Sequence, residues 1–156
     1  MNDPTPLCRH CALCCDGTLF SHGTVEPAER ERVGRVGLPI VTMLDQTTRF
    51  EQPCQMLAGH DCSIYQDRPQ TCRDFLCDLG KAYQDDELTL SEARAVVQDV
   101  RAKVWQLGRL LPKPAPGVRE RVQARALDAP RTDELMRALV AVERELDRRF
   151  RGRGGK

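Results

Sequence analysis

Eight cysteines fall into two tight groups, and no other feature limits the fold as strongly. Cys8, Cys11, Cys14 and Cys15 sit within eight positions, CRHCALCC, and Cys54, Cys62, Cys72 and Cys77 lie within PCQMLAGHDCSIYQDRPQTCRDFLC. Such sulfurs can be disulfides, a catalytic thiol or metal ligands. An even number suits disulfides. However, the N-terminus, MNDPTPLCRH, lacks the basic and apolar regions of a secretory signal. No apolar run approaches the ~18 residues needed to cross a bilayer. The chain is therefore expected to be cytoplasmic, where a reducing milieu disfavours disulfides. A single nucleophile would leave seven cysteines unexplained and would need a base, and the only histidines are His10, His22 and His60.

Metal ligation accounts for the spacing. Cys8-x-x-Cys11 lets two thiolates from one turn converge on an ion about 2.3 Å away, and Cys11-x-x-Cys14 repeats the arrangement. Thiolate sites suit zinc and iron, the latter including iron–sulfur clusters. The run Cys8, Cys11, Cys14 matches the start of the bacterial ferredoxin pattern but lacks its x₃-C-P ending, so a fourth ligand must come from the second group. Adjacent Cys14 and Cys15 project differently. Two four-cysteine sites and one cluster with spare cysteines both remain open.

Four thiolates around a divalent ion carry a net charge of −2. Residues 1–80 are already acidic, with 7 Arg against 11 Asp and Glu. Donors around the sulfurs are therefore required, and Arg9, Arg68 and Arg73 are the candidates. The ordinary alternative for each is a surface pair with Asp67 or Asp74. His10 and His60 stand close enough in sequence to replace a sulfur, although a polar loop histidine is the simpler reading.

Residues 81–156 carry 17 Lys and Arg against 12 acids and read as helix. Val96, Val97, Val100, Val104, Leu107 and Leu111 form one stripe, and Thr89 with Glu92 has the capping-box pattern. The helix must end before PKPAPG. Leu135, Leu139, Val142, Leu146 and Phe150 line a second helix over 132–150, with Thr132 as its cap, and VRERVQARAL (118–127) suits a short third. In residues 16–80 only 27–37 reads as helical. The expected fold is mainly α: a small, loop-rich, cysteine- and metal-organised region over 1–80, and a helical hairpin or bundle over 81–156 with a basic, Gly-rich tail. Unless the helices pack on each other or on the cysteine half, their stripes should drive homodimerisation or bind a protein partner. Seven aromatics give little base stacking, so nucleic acid is not an expected partner, nor is a membrane.

These residues resemble the YkgJ-type cysteine-cluster family, a zinc- or iron-chelating domain with the signature CxxCxxCC. The second segment resembles the family pattern PC…C-x-IY-x-x-RP-x-x-CR-x-F-x-C, so the likeness spans about residues 8–77. It implies that Cys8, Cys11, Cys14, Cys15, Cys54, Cys62, Cys72 and Cys77 form the chelating set, with Arg68, Pro69 and Arg73 in the fixed frame. The family also contains flagellin lysine N-methylases, whose cysteine motif is tied to an iron–sulfur cluster. A cytosolic zinc- or iron-binding protein is the primary expectation; an iron–sulfur enzyme or electron carrier distantly related to those methylases is the alternative. Whether the chain is an enzyme stays open, since no glycine-rich nucleotide cradle and no acid–base pair at a telling spacing is present.

Overall fold

The computed structural model describes residues 1–111, 121–122 and 133–152. Its helices are α1 (Thr5–Cys11), α2 (Arg30–Arg35), α3 (Gln70–Asp74), α4 (Asp78–Gln84), α5 (Leu90–Leu110) and α6 (Asp133–Leu146). The strands are β1 (His22–Val25), β2 (Val41–Thr42), β3 (Thr48–Glu51), β4 (Leu57–Ala58) and β5 (Asp61–Cys62). They form an antiparallel sheet in the order β1-β3-β2 and a separate β4-β5 hairpin. The fold is mainly helical with small sheet regions, and no described helix is long and apolar enough to cross a membrane.

Helix α5 begins where the capping box places it. Thr89 Oγ1 accepts from the Glu92 N–H at 3.2 Å, and the Glu92 carboxylate accepts from the Thr89 N–H at 2.8 Å. Its Ala93, Val97, Val100 and Leu107 are fully buried and pack against α6, where Leu135, Val142 and Leu146 are buried. The second expected helix is continued past Leu146 by a wider π turn over Asp147–Arg151, which lays Phe150 against α4. The segments PKPAPG and 118–127, the Thr132 cap and the end of the basic tail lie outside the described residues, apart from residues 121–122.

The helical stripes are covered within the chain. Leu7, Leu13, Leu19 and Leu79 join Val97, Val100, Leu107, Leu146 and Phe150 in one apolar cluster, so the C-terminal helices pack on each other and on the cysteine region. A second cluster of Val25, Val33, Leu38 and Phe50 lies beneath the three-stranded sheet. The stretch 27–37 is a 3₁₀ turn, Pro27–Glu29, followed by α2. Helix α3 was not expected: five residues are too few to show a 3.6-residue period, and its N-terminus is held by a residue far away in sequence.

Candidate metal centre

All eight cysteine thiols are free and line a single cavity of about 650 Å³. The first group reaches it from α1, where the i, i+3 spacing puts Cys8 and Cys11 on one face. The helix stops at Ala12 in a left-handed conformation, φ 56°, and the chain then folds back so that the Cys15 N–H donates to the Ala12 carbonyl at 2.8 Å. From the second group, Cys54 precedes the β4-β5 hairpin, Cys62 ends β5, Cys72 sits on α3 and Cys77 caps α4. The two groups meet through backbone: the Cys54 N–H donates to the Cys15 carbonyl at 2.7 Å.

Several sulfurs receive backbone donors. Cys77 Sγ accepts from the Gly80 N–H at 3.4 Å at the start of α4. Cys11 and Cys54 each draw on the amide two residues ahead, Leu13 and Met56 respectively. These bonds favour a thiolate, but burial acts more strongly against it. Burial pushes Cys8 up to about 11 although its edge stays exposed, and pushes Cys11, Cys15 and Cys72 to about 12. Cys14, Cys54 and Cys77 are also raised, chiefly by burial.

The neighbouring thiols add to this effect. Charge on Cys77 raises Cys8, Cys11 and Cys14. Cys15 is raised instead by Cys72, Cys54 and Cys62, and Cys72 by Cys54 and Cys62. Among the described residues no three Cys, His, Asp or Glu side chains converge on one ion position; the sulfurs line a shared space.

This donor set fits a thiophilic metal. A concentration of soft sulfur ligands selects zinc, copper(I) or iron–sulfur chemistry, and a cation supplies the charge that buried thiolates need. Gln52, only 5 % exposed, also lines the cavity, and its side-chain oxygen has no hydrogen-bond partner.

The three arginines hold different positions. Arg68 stacks 3.8 Å over the Tyr65 ring, donates to the Tyr65 carbonyl at 2.8 Å, and its charge lowers both Cys8 and Cys72 against the larger effect of burial. Arg9 pairs with Asp61 through both nitrogens of its fork, tying α1 to β5 beside Cys62. Arg73 donates to the Arg68 and Gln66 carbonyls, so it braces the loop that carries Arg68. None of these contacts is with Asp67 or Asp74. His60 and His22 line the cavity, whereas His10 sits on α1, where its carbonyl accepts from Arg101.

Two residues that the sequence did not single out hold the site together. Buried Glu29 accepts from the Gln70 N–H at 2.9 Å, from the Glu26 N–H at 3.1 Å and from Arg32 at 2.8 Å, fixing the start of α3 and thus Cys72. Arg101 of α5 donates to the Cys11 carbonyl at 2.7 Å, closing the end of α1. The E-x-x-R pattern at Glu29 and Arg32 was the only local signal, and it resembles any surface helix pair.

Eight free thiols, drawn from two distant segments, line one cavity. The pattern of the CxxCxxCC family, described as a putative zinc- or iron-chelating domain, matches residues 7–93, more than half of the chain. The chain belongs to this family. Comparisons with curated proteins and with solved structures return no match.

Proposed function

We propose that the chain holds zinc or iron through Cys8, Cys11, Cys14, Cys15, Cys54, Cys62, Cys72 and Cys77, and that the bound metal organises the N-terminal region. One observation carries this reading: two cysteine groups far apart in sequence deliver every thiol to one cavity. Bound metal supplies a cross-link between the segments and the positive charge that keeps buried sulfurs ionised. The protein's own part is to place the sulfurs from α1, the hairpin, α3 and α4, to donate backbone N–H groups to Cys11, Cys54 and Cys77, and to set Arg68 against Cys8 and Cys72.

Among the described residues, four side chains, Val25, Val33, Leu38 and Phe50, form the buried apolar cluster under the sheet. So small a core supplies little stability, and metal binding here contributes folding free energy directly. Stripping the full-length chain with a strong chelator under reducing conditions should lower Tm by well over 10 °C. It should also remove the near-ultraviolet signal of Tyr65, while α5 and α6 keep much of the helical signal. A chain whose unfolding curve is unchanged by complete metal removal contradicts the reading.

A further inference from the structure

We infer that the eight cysteines form two separate four-thiolate centres, one of Cys8, Cys11, Cys14 and Cys77 and the other of Cys15, Cys54, Cys62 and Cys72. This rests on the metal-binding reading above and goes beyond it by assigning each sulfur to a partner set.

Packing is the first support. Cys11, Cys14 and Cys77 pack with the large helical cluster, whereas Cys54 and Cys72 pack with the separate cluster beneath the sheet. Backbone places the other three: Cys8 shares a face of α1 with Cys11, the Cys15 carbonyl accepts from the Cys54 N–H, and Cys62 pairs across the hairpin with Leu57, whose N–H donates to the Cys54 carbonyl.

Topology explains the division. After the left-handed Ala12, Cys14 packs on the helical cluster, whereas its neighbour Cys15 is bonded through its carbonyl to Cys54, which packs on the cluster beneath the sheet. The Cys54–Cys15 backbone bond delivers Cys15 to the hairpin. Between Cys72 and Cys77 the chain leaves α3 through extended Phe75, whose ring meets Phe20 edge-on at 4.9 Å, and this separates the last two sulfurs.

The sets are therefore interleaved, three from the first group with one from the second, and one from the first with three from the second. Neither sequence group completes a centre alone. Arg68 lines the cavity that both sets share, and its positive charge offsets the repulsion between two anionic centres. Either a single ion or a larger cluster uses the same four-thiolate chemistry.

The test is metal and acid-labile sulfide per chain in the full-length protein purified without oxygen. Cys14→Ser and Cys15→Ser should each lose half of the metal. Cys14→Ser with Cys77→Ser should lose no more than half, because both belong to one set; Cys14→Ser with Cys15→Ser should lose all of it. Loss of all metal in the Cys14/Cys77 pair, or retention of half in the Cys14/Cys15 pair, overturns the assignment. Sulfide equal to iron marks clusters, and its absence marks single ions.

A second measurement needs no variant. Wild-type protein exposed to limiting chelator and then pulsed with iodoacetamide should show Cys8, Cys11, Cys14 and Cys77 labelled as one group, separately from the other four. Groups that mix the two sets also overturn it. Wild-type protein without metal would instead sink the metal-binding reading itself.

Discussion

The backbone N–H of Cys54 donates to the carbonyl of Cys15 at 2.7 Å, a direct backbone link between the two cysteine groups. It does not depend on either side chain, so both sulfurs stay free for other work. It also sits between two supports: Arg9 with Asp61 joins α1 to the hairpin, and the Gln52 N–H donates to the Ser21 carbonyl at 3.0 Å where β3 ends. The cysteine cavity is built on this backbone frame.

Arg68 lines the cysteine cavity, and its charge lowers both Cys8 and Cys72. Arg68→Ala should weaken metal retention on the order of 10-fold, the usual effect of removing a group that supports metal ligands. Both halves of the bound metal should be affected in a chelator competition assay. Arg73→Ala should do less, since its guanidinium is engaged with the Arg68 and Gln66 carbonyls. Unchanged retention in Arg68→Ala would remove its assigned role.

Glu29→Ala strips a buried acceptor from Gln70, Glu26 and Arg32. These donors are within reach of water, so each lost hydrogen bond costs about 0.5–1.5 kcal/mol, and Cys72 loses the anchor of its helix. A Tm lowered by several degrees and accompanied by metal loss is expected, with Glu29→Gln milder because it keeps an acceptor oxygen. Wild-type thermal stability in Glu29→Ala would refute this.

Gly23 has no room for a side chain. A Cβ there would stand 2.3 Å from Cζ of Phe50, a ring only 2 % exposed. Gly23→Ala should destabilise by about 1–3 kcal/mol through overpacking, and Phe50→Leu in the same chain should recover part of the loss. Additive losses in the double variant would show that the two sites are independent.

Thr89→Ala should cost about 1 kcal/mol by removing the cap of α5. Its partner Glu92 is held below the usual carboxylate range by the Thr89 N–H and hydroxyl. The folded pKa is depressed, so this contribution is complete above the unfolded value of about 4.3 and fades as pH falls through the folded one. The Tm gap between wild type and Glu92→Gln, followed by circular dichroism, should be flat from pH 7 to about 5 and close below about 4. A gap that widens in acid would contradict the sign.

What the sequence disclosed follows from range. The stripe from Val97 to Leu107 and the Thr89–Glu92 box are local and periodic, and α5 stands where they place it. The cysteine spacing and the Arg68 frame were equally visible. Glu29 was not, because its meaning comes from Gln70, 41 positions away. Arg101 was hidden for the same reason: its partner is the Cys11 carbonyl, 90 positions back. Short α1 and α3 and two-residue strands such as β4 are set by those distant contacts rather than by any period of their own.

The most direct measurement is metal content, acid-labile sulfide and free-thiol count on full-length protein purified without oxygen, with a visible spectrum of the same sample. The account predicts stoichiometric zinc or iron with all eight cysteines protected from a thiol reagent until the metal is removed. Colourless protein with zinc and no sulfide would identify single ions; brown protein with matched iron and sulfide would identify clusters. Folded protein with no metal and eight freely reactive thiols would contradict it.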